Sequence, residues 1–165
     1  LRGPRLLPVD LNAIVDNTLQ LYAGVLPQGR IRLVRQLEPR LPPVRVDAEQ
    51  MRQVIINLVD NALEVLGGPG ASDRPAGGPP VVVVSTAYDA RNGVVRLVVT
   101  DNGPGVPPAD RDKLFMPYYS TKGRGSGLGL AIVRRIIVEH GGGIEVGAAQ
   151  PSGTTFTIEL PCQPS

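Results

Sequence analysis

DNGPGVPPADRDKLFMPYYSTKGRGSGLGL, residues 101–130, is the stretch that decides how this chain folds. It opens with an acidic, Gly-rich turn, continues through a loop, and ends in a second Gly cluster that runs into a helix-forming segment. A carboxylate in a Gly turn can accept hydrogen bonds from a flat heterocycle. A Gly cluster at a helix start can hold phosphates, because free N–H groups and the helix dipole both favour anions there. The two ends together suggest a nucleotide gripped at base and phosphate, with a lid over about residues 106–126 between them.

The segment upstream strengthens this reading. Residues 48–66, AEQMRQVIINLVDNALEVL, carry apolar side chains at Met51, Val54, Ile55, Leu58, Ala62 and Val65, a helical spacing. Asn57 and Asn61 are four apart and share one face. Asn is a mediocre helix former, so two on an otherwise apolar helix invite a chemical explanation. An amide oxygen is a hard ligand suited to Mg²⁺, which takes few protein ligands and keeps water and phosphate oxygens.

Four blocks in order now carry a family resemblance: NLVDNA around Asn57 and Asn61, DNGPG at 101–105, GRGSGLGLAIV at 123–133, and GTTFTIELP at 153–161, with KLFMPYYSTK between the second and third. The chain resembles the catalytic, ATP-binding domain of bacterial sensor histidine kinases, within the ATPase group that includes gyrase, the Hsp90 chaperones and MutL. STK followed by GSGLGLAIV is most similar to nitrogen-regulation-type sensor kinases. The resemblance implies an α+β fold of the Bergerat type, a two-layer α/β sandwich in which helices cover one face of a mixed, mainly antiparallel sheet, with a mobile ATP lid. It implies ATP and Mg²⁺ as cofactors. It also implies transfer of the γ-phosphate to a histidine on a separate dimerisation domain, then to a response regulator.

Composition is compatible with this. The 165 residues fit one domain, residues 1–165, and 42% hydrophobic content supplies a core. The 17 basic and 15 acidic residues leave +2, too little and too dispersed for nucleic-acid binding. One cysteine, Cys162, rules out an internal disulfide framework and suits a reducing compartment. No apolar run approaches the roughly 20 residues of a membrane helix and no signal peptide is visible. A cytoplasmic domain is expected, any inner-membrane anchor belonging to other parts of a longer protein.

Periodicity and breakers give the elements. Residues 9–25 read as a helix with Asp10 as N-cap. Residues 30–37 alternate as a strand, and 44–47 read as a short one after Pro39, Pro42 and Pro43. Residues 67–80, GGPGASDRPAGGPP, read as a flexible surface loop. Residues 81–88 and 94–100 form a hairpin with Asn92-Gly93 in the turn. Residues 107–114 read as a short helix, and 127–140 as a helix ended by Gly141, Gly142 and Gly143. Residues 144–147 and 154–160 make a second hairpin.

The resemblance assigns roles to residues. Asp101 accepts from the adenine amino group, with Gly103 and Gly105 letting the backbone approach the base and Thr154 helping to fix it. Asn61 binds the Mg²⁺, and Asn57 supports the metal shell or a water. Lys122 stands near the γ-phosphate, with Arg124 a weaker candidate. Gly125, Ser126, Gly127, Leu128 and Gly129 bring N–H groups to the phosphates. Ordinary readings stay open: a turn Asp, a strand Thr chosen for packing, a solvated loop Lys. Neither the Rossmann G-x-G-x-x-G nor the G-x-x-x-x-G-K-[ST] motif is present. Phe115, with Met116, Tyr118 and Tyr119, either docks a partner domain or anchors the lid to the core.

Three departures qualify the resemblance. Where gyrase, Hsp90 and MutL carry a water-activating Glu, this chain has Asn57, which cannot take a proton from water at neutral pH. That argues for a phosphoryl donor rather than a hydrolase. Glu64 stands where many histidine kinases have a basic residue, and Val65 where many have a Tyr. A hydrolytic ATPase and a degenerate nucleotide-sensing module therefore remain as alternatives. His140 is expected to be structural, a cation suiting the end of its helix. No HExxxP-like segment supplies a phosphoacceptor, so the acceptor domain is expected outside this chain.

Overall fold

The computed structural model describes residues 3–23, 31–67, 78–117 and 129–162. In chain order these form β1 (Leu7–Val9), α1 (Leu11–Leu19), β2 (Arg32–Gln36), β3 (Val44–Val46), α2 (Ala48–Gly67), β4 (Val81–Asp89), β5 (Val94–Asp101), α3 (Gly129–Glu139), β6 (Gly143–Ala148) and β7 (Thr154–Pro161). The main sheet runs β2-β4-β5-β7-β6. Only β2–β4 is parallel; the other pairs are antiparallel. β1 and β3 form a separate two-stranded ribbon, tied to the main body where Val44 bridges Cys162.

Strict alternation explains why the sheet has one covered face. Along β5 and β7 every second residue is buried, giving Val95, Leu97, Val99 and Asp101 on one strand and Thr154, Phe156, Ile158 and Leu160 on the next. Helices supply the opposing layer: α2 turns Met51, Val54, Ile55, Leu58, Val59, Ala62 and Leu66 inward, and α3 turns Val133, Ile136 and Ile137. Each of these side chains other than Ala62 contributes on the order of 1.5–3 kcal/mol. The two-layer sandwich expected from the sequence is what forms.

Element boundaries differ from the sequence reading for identifiable reasons. The expected helix 9–25 is divided. Val9 is already committed to β1, Asp10 caps α1 by accepting from Asn12 N–H at 3.0 Å, and the α-helix gives way to a 3₁₀ turn at Gln20–Tyr22. Residues 24 and 25 lie outside the described residues, as does most of the expected loop 67–80. Strand 44–47 loses Asp47, whose carboxylate instead accepts the Gln50 N–H at 3.2 Å and starts α2. The short helix expected over 107–114 is two 3₁₀ turns, Pro108–Asp110 and Asp112–Phe115, closed by bonds three residues apart such as Asp110 N–H on Pro107 O at 2.9 Å and Leu114 N–H on Arg111 O at 3.2 Å. The Asn92-Gly93 pair sits in a four-residue loop in which Asn92 N–H and Nδ2 both donate to Asp89.

Polar contacts lock the layers. The Asn12 side chain donates to Glu38 O at 2.7 Å and accepts from Thr86 Oγ1 at 2.8 Å, joining α1 to β4. The Tyr22 hydroxyl donates to Asp60 at 2.7 Å, joining the end of α1 to α2. Burial, reinforced by the Asp60 carboxylate, pushes that hydroxyl far above its usual range, so it stays a donor. No helix among the described residues is long and apolar enough to cross a membrane.

His140 corrects the sequence reading. Gly141 adopts φ +75° and closes α3 with Gly142 N–H on Ile137 O and Gly141 N–H on Val138 O, both 3.0 Å. His140 is buried beneath this cap. Its Nε2 lies 3.0 Å from the Asp47 N–H, a group that can only donate, so Nε2 is unprotonated; Nδ1 then carries the proton and donates to Ile136 O at 2.7 Å. The imidazole is a neutral bridge rather than a cation answering the helix dipole. The Arg5 N–H on the Asp47 carboxylate at 2.9 Å, more than any other contact, holds that group below the usual carboxylate range.

His140→Ala should cost about 2–4 kcal/mol in denaturant unfolding, since it leaves the Asp47 N–H unpaired and opens a cavity. Arg135→Ala, removing the exposed 3.5 Å pair with Glu139 on the same helix, should change stability by no more than about 0.5 kcal/mol. Equal effects from the two would contradict the bridge.

Candidate functional site

The floor of the site follows from strand register. Asp101 is the last inward-facing residue of β5, directly between Val82 of β4 and Thr154 of β7, and Thr154 faces Ala148 of β6. Asp101 is 3% and Thr154 4% exposed. Across β5 and β7 a face that is apolar row by row thus ends in a row carrying a carboxylate and a hydroxyl. The Gly103 N–H donates to Asp101 Oδ1 at 2.9 Å and fixes the carboxylate's aim.

Two residues the sequence reading passed over complete this end. Gly153 has φ +115°, and a Cβ there would fall on the Asp101 carbonyl. Only glycine lets the chain enter β7 so close to β5. Its signal, a Gly before a β-branched pair, was visible, but the backbone it touches is set by register. Asn102 accepts the Val81 N–H and donates to Pro79 O, both at 2.9 Å. It ties the mouth of β4 to the turn after β5, and looked in the sequence like an ordinary turn residue. Gly105, at φ +85°, sits against Gly153, whose carbonyl lies 3.1 Å from the position of a Gly105 Cβ.

α2 forms the roof. Asn57 and Asn61 lie half-buried beside its apolar stripe. A Cβ on Gly103 would come within 2.7 Å of Val65 Cγ1, 3.1 Å of Asp101 Oδ1 and 3.6 Å of Leu66 Cδ2. At the other end, a Cβ on Gly129 would lie 3.4 Å from Asn57 Oδ1. The helix therefore spans from the acidic turn, through Val65, to the start of α3, through Asn57. Eight residues separate these contacts, roughly 12 Å of helix, with Asn61 between.

The segment that follows the turn is anchored at the edge of the site. Leu114 is buried in the core, and the Phe115 ring meets Phe156 edge-on at 6.2 Å while Arg134 of α3 lies over it at 5.7 Å. Met116 beside it is 56% exposed. Of the two readings of this cluster, Phe115 follows the anchoring one. Tyr118, Tyr119, Lys122, Arg124, Gly125, Ser126, Gly127 and Leu128 lie outside the described residues. The structure thus brings together Asp101, Gly103, Gly105 and Thr154 at one end, and Asn57 and Gly129 at the other.

A mainly antiparallel sheet whose covered face ends in a buried carboxylate and a buried hydroxyl, with helices packed over it, defines a two-layer α/β sandwich. Residues 46–164 match the family described as histidine kinase-, DNA gyrase B-, and HSP90-like ATPase, and the chain belongs to that family. Among curated relatives, the sensor histidine kinase ZraS of Escherichia coli (strain K12) is 36% identical over 153 residues, 93% of this chain and 30% of the relative. The sensory histidine kinase/phosphatase NtrB of Escherichia coli O157:H7 is 35% identical over 171 residues, 98% of this chain and 46% of the relative. The chain therefore spans less than half the length of these two relatives. The mycobacterial sensor histidine kinase MprB superimposes with a TM-score of 0.76 at 32% identity, covering 97% of this chain and 99% of that one. Full-length ShkA in complex with AMPPNP gives 0.78 at 29% identity, covering 97% of this chain and 32% of ShkA. The kinship with sensor histidine kinases, nitrogen-regulation types among them, holds.

Gly103→Ala should lower stability by about 1–3 kcal/mol, because the added methyl meets Val65 and the Asp101 carboxylate at once. Val65→Ala in the same chain should make the two effects less than additive. Strict additivity in a double-mutant cycle of unfolding energies would show that this contact does not fill the space.

Proposed function

We propose that this domain binds Mg-ATP and donates the γ-phosphate to a histidine on a separate dimerisation domain of a sensor kinase, for onward transfer to a response regulator. The observation that carries the reading is the pairing of Asp101 and Thr154 across β5 and β7 at one end of α2, with Asn57 against Gly129 at the other. A base fits the first end and phosphates the second. Asp101 accepts the adenine amino group, and Thr154 fixes the ring. Gly103 and Gly105 keep the turn thin where the base lies. Gly129 continues the run Gly125, Ser126, Gly127 and Leu128, whose N–H groups meet the phosphates, and Lys122 offsets charge at the γ-phosphate. The AMPPNP bound by the related ShkA supports a nucleotide here.

The donor chemistry fits a magnesium ion. Among the described residues no three His, Cys, Asp or Glu side chains come together as a metal cluster. Asn61 offers a hard amide oxygen, which suits a cation that draws its remaining ligands from phosphate and water. When bound, Mg²⁺ neutralises charge between the phosphates. The transfer itself forms a bond from the acceptor imidazole nitrogen to the γ-phosphorus as the bridging bond to ADP breaks. Positioning and charge neutralisation suffice for such a step. Asn57 supplies no base for water, which favours transfer over hydrolysis. The domain is placed in the cytoplasm, where ATP and a response regulator are both accessible.

Label from γ-phosphate-labelled ATP should pass to a histidine-bearing partner domain mixed with this chain, while release of free phosphate by the chain alone stays slow. Rapid hydrolysis without transfer would make it an ATPase; nucleotide binding with neither outcome would make it a sensing module. Asp101→Asn should weaken binding of an ATP analogue roughly ten- to a hundredfold, and Asn61→Ala should reduce the Mg²⁺ dependence of binding. Unchanged affinity in Asp101→Asn would move the base elsewhere.

A further inference from the structure

Asn57, Asn61 and Glu64 are spaced by four and three residues, so they share one stripe of α2. Asn57 locates one end of the stripe, its Oδ1 lying against Gly129 at the start of α3. Val65, which follows Glu64 on the adjoining edge of the helix, lies against Gly103 at the acidic turn. Glu64 is half-buried on this stripe. Asp60, the next carboxylate on this side, is occupied by the Tyr22 hydroxyl. The ion pairs among the described residues are Arg35–Asp16, Arg96–Asp89, Arg96–Glu159 and Arg135–Glu139. No cation among the described residues pairs with Glu64.

An unpaired carboxylate beside a polyphosphate repels it. The same carboxylate beside a polyphosphate that carries a divalent cation is attracted to the cation, so the sign of its contribution depends on the metal. We infer that Glu64 makes nucleotide binding conditional on the divalent cation, penalising free nucleotide and favouring the metal complex. This rests on the proposed nucleotide site. Glu64 is in this respect a specificity residue: with Asn61 offering an oxygen to the cation, it selects Mg-nucleotide over free nucleotide.

The test is calorimetric titration with AMPPNP, in chelator and in excess Mg²⁺, of the chain and of Glu64→Gln, Glu64→Lys and Asn61→Ala, each checked for helix content by circular dichroism. Glu64→Gln should raise metal-free affinity roughly three- to tenfold, more at low ionic strength, and shrink the ratio of Mg²⁺ to metal-free affinity. Glu64→Lys should raise metal-free affinity further. Asn61→Ala should lose affinity in Mg²⁺ with no gain in chelator. If Glu64→Gln leaves the ratio unchanged, or shifts both conditions equally as a purely structural change would, the inference falls while the nucleotide site stands. If the unaltered chain binds in neither condition, the reading of the site falls and this inference with it.

Discussion

The register of β5 against β7 is the constraint on which the rest of the molecule depends. Placing Val99 opposite Phe156 and Leu97 opposite Ile158 seals the apolar face. The same register brings Asp101 opposite Thr154 where the strands end. A slip of one residue would turn the inward set out to solvent, so hydrophobic burial and the polar pair are specified together. Gly153 lets the two backbones close at that row, and Asn102 holds the neighbouring strand to it. Packing thus does the work of positioning, and the site needs no separate scaffold.

α2 couples this floor to the phosphate end. Its apolar stripe is wide enough to bind the helix to the sheet, which frees the adjoining stripe for residues with poor helix propensity. Two amides stand there at modest cost, beside a carboxylate that costs little, since tertiary burial outweighs propensity differences of a few tenths of a kcal/mol per residue. Charge on this stripe is acidic rather than basic. Any polyanion lying along it must therefore be neutralised by groups contributed from elsewhere, by the loop cations or by a bound divalent ion.

The fold was legible in the sequence wherever composition, periodicity and breakers spoke with one voice: the strand-like runs of β4 and β5 about Asn92-Gly93, the apolar stripe of α2, and the glycines ending α3. Asp101 at a strand end and the two asparagines on one face were also readable, because both follow from counting along a single element. Gly153 and Asn102 were not, since their partners are reached only through cross-strand register. The neutral state of His140 was hidden for a similar reason: the Asp47 N–H that fixes it lies 93 residues away. Separation of β1 and β3 from the main sheet was likewise beyond reach, because three-residue strands carry too little pattern to declare their neighbours.

The His140 bridge has a mechanical consequence. It joins the C-terminal end of α3 to the residue that starts α2, while the opposite contact, Gly129 with Asn57, lies about ten residues along each helix. The two antiparallel helices are thus tied at both ends of the stretch they share, by a polar bridge at one end and by a close approach of backbone to amide at the other. With a rise of roughly 1.5 Å per residue the two ties lie about 15 Å apart, so the start of α3 is referred to α2 by two separated points rather than one.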